Sequence, residues 1–170
     1  QYKLLKEWKL AKETIEEHYG ILAEHFYKGN VTLKALFYLT KAGDKAKKTY
    51  ANHDAISYYT KSLELFEKAP DELENHYNSL VEIYQNRGKV MELIGKYKDA
   101  QDDYKLYLNL SKKLGDQIME VKATEALGII HRLQSRYDRS LAYFCKAKQL
   151  AEEEKLSLEL ASNLNNIGVV

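Results

Sequence analysis

Gly95-Lys96-Tyr97-Lys98-Asp99-Ala100, followed by Tyr104, returns forty residues on as Ser135-Arg136-Tyr137-Asp138-Arg139-Ser140, followed by Phe144. The register holds outside this stretch. Arg87-Gly88 stands twelve residues before Ala100, and Leu127-Gly128 twelve before Ser140. Ile167-Gly168 opens a further copy forty residues past Leu127-Gly128, and Gly43, Ala55 and Tyr59 make an earlier one at the same internal spacings. A chain that repeats itself at this period is built by stacking one small unit.

The unit has a physical logic. A small residue (Gly43, Gly88, Gly128, Gly168) lets a partner helix come close. Twelve positions on, a second small residue (Ala55, Ala100, Ser140) faces back across the pair. Four further along, an aromatic (Tyr59, Tyr104, Phe144) shares that helical face and fills the space that remains. The expectation is an all-α solenoid of antiparallel helix pairs, with about eight helices.

The pattern resembles the tetratricopeptide repeat family. Tyr84, Gly88, Met91, Tyr97, Ala100, Tyr104 and Tyr107 carry the match in the best copy, and Leu127, Gly128, His131, Tyr137, Ser140, Phe144 and Ala147 in the next. That family repeats about every 34 residues, whereas these anchors lie 45 (55 to 100) and then 40 apart. The helices are therefore longer than usual, or extra residues separate the units. The proline expected after each second helix is missing except near Pro70.

The first half carries a narrower resemblance. The runs Ile21-Leu22-Ala23-Glu24-His25-Phe26, then Lys34-Ala35-Leu36-Phe37-Tyr38-Leu39-Thr40-Lys41-Ala42-Gly43-Asp44-Lys45-Ala46, then Tyr50-Ala51-Asn52-His53-Asp54-Ala55-Ile56-Ser57-Tyr58-Tyr59 are similar to a known helical region. It is the one that follows the ATPase module in soluble-type adenylate/guanylate cyclases and related large signalling ATPases. The resemblance covers about residues 14 to 68 and implies a regulatory arm. The catalytic residues and phosphate-binding loop of those proteins are absent from this sequence.

Composition fits a helical chain. Hydrophobic residues make up 45%, charged residues 30%, and a single proline in 170 residues argues against a β-rich fold. A formal net charge of +1 offers no long-range field for nucleic acid or membrane. No run of about eighteen apolar residues occurs, so no membrane insertion is expected. The lone Cys145 and the lack of a secretory signal suggest a cytoplasmic setting.

The expected organisation is degenerate repeats over 1–68, two helix pairs over 71–156, and the first helix of a further, truncated repeat over 157–170. The expected helices span about 2–27 (broken near Glu13-Thr14), 32–49, 53–68, 71–94, 98–113, 117–133, 137–153 and from Ser157 onward. Asp71 and Glu74 suggest a capping box, Gly115 a helix end and Asp116 an N-cap. Leu160, Leu164, Ile167 and Val170 are expected to share one open apolar face of the last helix, as in a segment of a longer array.

No constellation points to catalysis, and no cofactor or metal is expected. His18 and His25 are seven apart, without the i,i+4 spacing or the third ligand of a metal site. His131 falls on an inward face and suits a packed core histidine. Cys145, next to Phe144, is expected as a buried structural thiol. Glu16-Glu17, Asp102-Asp103 and Glu152-Glu153-Glu154 are sequence neighbours about 100° apart on a helix, expected as solvated faces. Lys41, Lys45, Lys47 and Lys48, with Lys34 upstream, form the densest basic run. It reads as a solvated face or a docking surface for an acidic neighbour, rather than a nucleic-acid track. Many of the fourteen tyrosines, among them Tyr59, Tyr84, Tyr97, Tyr104, Tyr107 and Tyr137, sit at repeat positions, with hydroxyls expected at the rim.

The resemblance places a peptide-binding groove on the first helix of each unit. That puts Glu82, Gln85, Lys89 and Glu92 on its wall, then Lys122, Glu125 and Arg132, then Ser162, Asn165 and Asn166. Chaperone-binding members clamp a peptide carboxylate with Lys and Asn. The corresponding pairs here, Gln85/Lys89, Glu125/Ile129 and Asn165/Val169, are not that clamp. Leu164-Asn165-Asn166-Ile167-Gly168 resembles repeats whose asparagines bind an extended backbone, although a bond between helices explains them equally. The expected partner is a protein or peptide, including other domains of the same chain. A free-standing adaptor or assembly protein is the alternative to a signalling arm.

Overall fold

The computed structural model describes residues 14–170. Among them are the helical residues 14–17, eight further α-helices and no strand. The eight are α1 (Tyr19–Lys28), α2 (Thr32–Lys48), α3 (Asn52–Lys68), α4 (Tyr77–Leu93), α5 (Tyr97–Leu114), α6 (Gln117–Leu133), α7 (Tyr137–Glu153) and α8 (Ser157–Gly168). The fold is an all-α array of tetratricopeptide-like antiparallel helix pairs. It forms two compact units that meet in sequence at His76–Tyr77. In the first, α2 packs on both α1 and α3; in the second, each helix from α4 to α7 packs on the next.

The period follows from helix length. Helices of 17 residues joined by turns of three give a forty-residue unit, as in α6, its turn, α7 and the turn to α8. Longer helices therefore account for the excess over 34. The spacing of 45 has a separate source in the segment from Ala69 to His76. There a 3-10 turn (Glu74–His76) precedes α4, and the expected capping box at Asp71 and Glu74 does not start an α-helix. Leu73 is fully buried. Tight bonds from Leu73 N to Pro70 O (3.2 Å) and from His76 N to Leu73 O (2.9 Å) hold it inward. Burial of that side chain overrides the local capping signal.

Six turns close in one way. The amides of Val31, Ala51, Lys96, Asp116, Arg136 and Leu156 each donate to the carbonyl five residues back, at 2.8–3.0 Å. The residue just before each donor (Asn30, Tyr50, Gly95, Gly115, Ser135, Lys155) has φ between 52° and 77°. This is the Schellman closure, which satisfies the last helical carbonyls with a left-handed residue. Asp116 caps α6 as expected, its carboxylate accepting from Met119 N at 2.8 Å. Among the described residues the first expected helix turns at His18; its portion before residue 14 lies outside them.

The core is the repeat motif in atoms. A Cβ placed on Gly43, Gly88 or Gly128 would lie 2.7, 2.6 and 2.6 Å from the ring of Tyr59, Tyr104 and Phe144, respectively. The Cδ1–Cε1–Cζ edge of each ring lies against the helix opposite, where only hydrogen leaves room. Ala55, Ala100 and Ser140 are fully buried, and Ser140 Oγ donates to Gly128 O at 2.9 Å.

Four expectations on packing are corrected. Cys145 is exposed, because Phe144 takes the inward position and the next residue is turned about 100° away from it. Tyr137, the first residue of α7, is 52% exposed rather than packed between helices. The hydroxyls of Tyr59 and Tyr104 do not end free at a rim. They donate to Asp44 (2.7 Å) and Glu92 (2.8 Å). Burial and those carboxylates push both phenols far up. Leu160 is not on an open face with Leu164 and Val170; it packs on Val121, Ala147 and Ala151.

Gly128→Ala should lower stability by about 1–3 kcal/mol through overpacking against Phe144. Gly128→Ala/Phe144→Leu should recover most of the loss. Thermal melts of the three proteins check both expectations, and Gly168→Ala, with nothing within 4 Å of its Cβ, is the control.

Candidate functional site

In the second unit α4, α6 and α8 are the first helices of successive pairs. Their buried faces carry Leu80, Val81, Gly88 and Met91 on α4, Val121, Thr124, Gly128 and His131 on α6, and Asn163 on α8. The groove residues read from sequence fall between these positions. Lys89, Lys122 and Asn165 are exposed, while Gln85, Glu125, Arg132 and Asn166 are half-buried.

The structure joins some of them. Glu125 accepts hydrogen bonds from Ser162 and Asn166, so one carboxylate on α6 gathers two side chains of α8. One turn earlier, Lys122 Nζ lies 3.6 Å from Glu159. Glu92 is engaged by Tyr104. The amide of Asn166 therefore serves a bond between helices, and Asn165 is the asparagine left on the surface. Lys89, Gln85 and Asn165 make no side-chain hydrogen bond or ion pair among the described residues, and Arg132 keeps a buried Nε without a partner. No hydrogen bond or ion pair among the described residues joins Gln85, Lys89 and Arg132. The wall is a lattice of locked polar groups with free ones between.

A polar pair that sequence reasoning missed lies beside it. Asp103 is 3% exposed, not part of a solvated face. It takes a two-pronged ion pair from Arg87, Nε to Oδ2 at 2.8 Å and Nη2 to Oδ1 at 2.7 Å. Burial raises the Asp103 carboxyl and the guanidinium opposes that rise. The next unit has Leu127 and Tyr143 at the equivalent places. Positions that hold an ion pair in one helix pair thus carry Leu and Tyr in its neighbour, and the aligned positions 87/127 and 103/143 hold the signal that could have revealed it.

His131 is buried, as the inward register requires. Its ring stacks on Tyr143 at 5.2 Å, and its Nδ1 has no partner. Burial first, then the charges of Arg136, Arg139 and Lys105, hold its pKa below the ordinary imidazole value. It is a packed ring whose Nε2 lies 3.4 Å from Gln101 Nε2 and whose charged form is disfavoured. His18 Nδ1 lies 2.7 Å from Thr14 O, and no group of three His, Cys, Asp or Glu is placed to hold a metal among the described residues.

Arg87→Leu alone should cost about 3–5 kcal/mol by stranding a buried carboxylate. Arg87→Leu/Asp103→Tyr, which copies the next unit, should restore most of that in denaturant titrations. The unfolded state binds a proton at His131 more readily than the folded state, so stability should fall as pH drops below about 6.5. His131→Phe should flatten that part of a plot of melting temperature against pH.

No protein-family model matches the chain, and no curated protein matches its sequence. Solved structures do resemble it. The Rap conjugation gene regulator of plasmid pLS20, solved with the Phr* peptide, superposes with a TM-score of 0.72 at 19% identity over 84% of this chain. BtubC from P. vanneervenii gives 0.68 at 19% identity over 92% of this chain. The Arabidopsis OM64 TPR domain gives 0.58 at 20% identity over 80%. The likeness spans 38% of the Rap regulator, 64% of BtubC and 96% of the OM64 domain. What the chain shares with all three is the fold of tetratricopeptide-like helix pairs.

Proposed function

We propose that the chain is a non-catalytic helical-repeat segment that mediates protein–protein interaction. In this reading the first helices of the second unit receive an extended segment of a protein partner. One observation carries it: Lys89, Gln85 and Asn165 are left without partners on a wall whose neighbouring groups, Lys122, Glu125, Glu159 and Asn166, are fixed by one another. Fixed neighbours hold the backbone of the wall, and free amides and cations remain to meet peptide groups. The Rap regulator was solved with a peptide; the same use of the fold is carried over by analogy. The resemblance over residues 14 to 68 supports a regulatory or scaffolding arm of a larger signalling protein of the ATPase or nucleotide-cyclase type, working in the cytoplasm. No helix among the described residues is long and apolar enough to cross a membrane.

A photo-crosslinking residue placed at Lys89, at Asn165 and, as a control, at the exposed Cys145 tests this in cells. Adducts with one polypeptide from positions 89 and 165, but not from 145, are expected. No adduct, or equal labelling from all three, contradicts the reading.

A further inference from the structure

The first unit carries a basic helix face whose lysines lack acidic partners, whereas of the lysines at the same spacing on α5 (Lys98, Lys105, Lys112) two pair with Asp102 and Glu120. Helix α2 holds five lysines and one acid, and no acid in its first turn. Its inward face is used up by Ala35, Leu36, Leu39, Ala42, Gly43 and Ala46. On the outer face Lys34, Phe37, Lys41 and Lys48 follow one another at spacings of three, four and seven, which keeps them on one side of the helix.

These cations are not balanced locally. Lys34, Lys41 and Lys48 make no ion pair among the described residues. Lys45 spends its ammonium on a backbone carbonyl, that of Glu16, at 2.9 Å. Two acids of the flanking helices are engaged elsewhere: Glu24 of α1 pairs with Lys61 of α3, and Glu64 of α3 takes Tyr27 and Lys68. Lysines near the end of α2 suit the helix dipole, but Lys34 sits in the first turn, where that dipole opposes a cation. Its ammonium lies 5.2 Å from the centre of the Phe26 ring, and that of Lys41 lies 5.8 Å from Phe37. Phe37 and Leu33 are each 52% exposed beside them.

We propose that this face docks an extended acidic segment of a protein partner, with one large apolar side chain seated on Phe37 and Leu33. The proposal rests on the protein-interaction reading and extends it to the first unit, naming the partner's chemistry. Charge complementarity argues for the acid and the half-exposed Phe37 and Leu33 for the apolar anchor. The spacing argues for the form. Lysines seven apart on a helix rise about 10.5 Å from each other, and a segment in the extended polyproline II form brings every third side chain back to the same face after about 9.3 Å. Acids at every third residue would therefore meet Lys34, Lys41 and Lys48 in turn. A nucleic acid fits less well, because bases need open ring faces. Phe26 is stacked on Tyr38 at 5.4 Å and 10°, and Phe37 meets the same tyrosine at 5.1 Å and 84°.

The test uses the full chain and a fluorescein-labelled peptide with glutamate at every third position and leucine between, read by anisotropy. Binding should weaken as salt rises. Lys34→Glu/Lys41→Glu should weaken it at least about tenfold, and Phe37→Ser should weaken it separately, with melting temperatures unchanged because all three side chains are exposed. Lys89→Glu, in the second unit, should leave it intact. The proposal is overturned if the Glu→Gln peptide binds equally or the two lysine reversals change nothing. It is also overturned if oligothymidylate displaces the peptide, or if sedimentation shows that these substitutions act by dissociating a dimer. Loss of binding in Lys89→Glu alone would remove the first-unit surface and leave the interaction reading standing. Failure of the peptide to bind, together with no crosslink from the second-unit wall, would remove both.

Discussion

An aromatic ring lying on a bare stretch of helix is the contact on which this structure depends. Tyr59 on Gly43, Tyr104 on Gly88 and Phe144 on Gly128 each bring a second helix within reach of the backbone of the first. The ring can lie there because the opposite residue has no Cβ. Once it does, the partner helix can pack only with a small residue facing back, and Ala55, Ala100 and Ser140 supply it. The uniform Schellman turns then set where each helix stops, and 17-residue helices set the pitch. Spacing, turn and core are one geometric solution used three times.

This explains what could be read in the sequence. A ring and a glycine sixteen positions apart leave an unmistakable periodic mark, so helix existence, pairing and most boundaries were legible. Gly115 and Asp116 announced their turn by residue type. Tyr50, Ser135 and Lys155 did not. They take left-handed conformations as non-glycine residues, because the helix end demands one whatever the side chain. The start of α4 was misread for the opposite reason: a good local cap at Asp71 lost to the burial of Leu73. Cys145 was misplaced by adjacency, since the neighbour of a core residue on a helix faces elsewhere.

The candidate site was legible as positions but not as bonds. The register located Glu125, Asn165 and Asn166, yet only the coordinates show that Asn166 is tied to Glu125 and Asn165 is not. Asp103 looked solvated because it follows another acid. Its partner Arg87 is sixteen residues away, beyond any local pattern. Charge is where the units differ. The second unit buries an ion pair and cross-links its wall, whereas the first pairs Glu24 and Glu64 with groups of α1 and α3 and leaves Lys34, Lys41 and Lys48 of α2 without an ion pair among the described residues. A common core with divergent polar surfaces is what a repeat needs if each copy is to meet a different partner chemistry.

Native-state hydrogen exchange tests the central claim most directly, because it reads local stability along the whole chain. If the ring-on-glycine contacts organise each pair, the slowest amides should cluster around Gly43, Gly88 and Gly128 and in the facing turns of α3, α5 and α7. Exchange should quicken towards the helix ends. Protection that is uniform along each helix, or greatest away from the three glycines, would contradict the account.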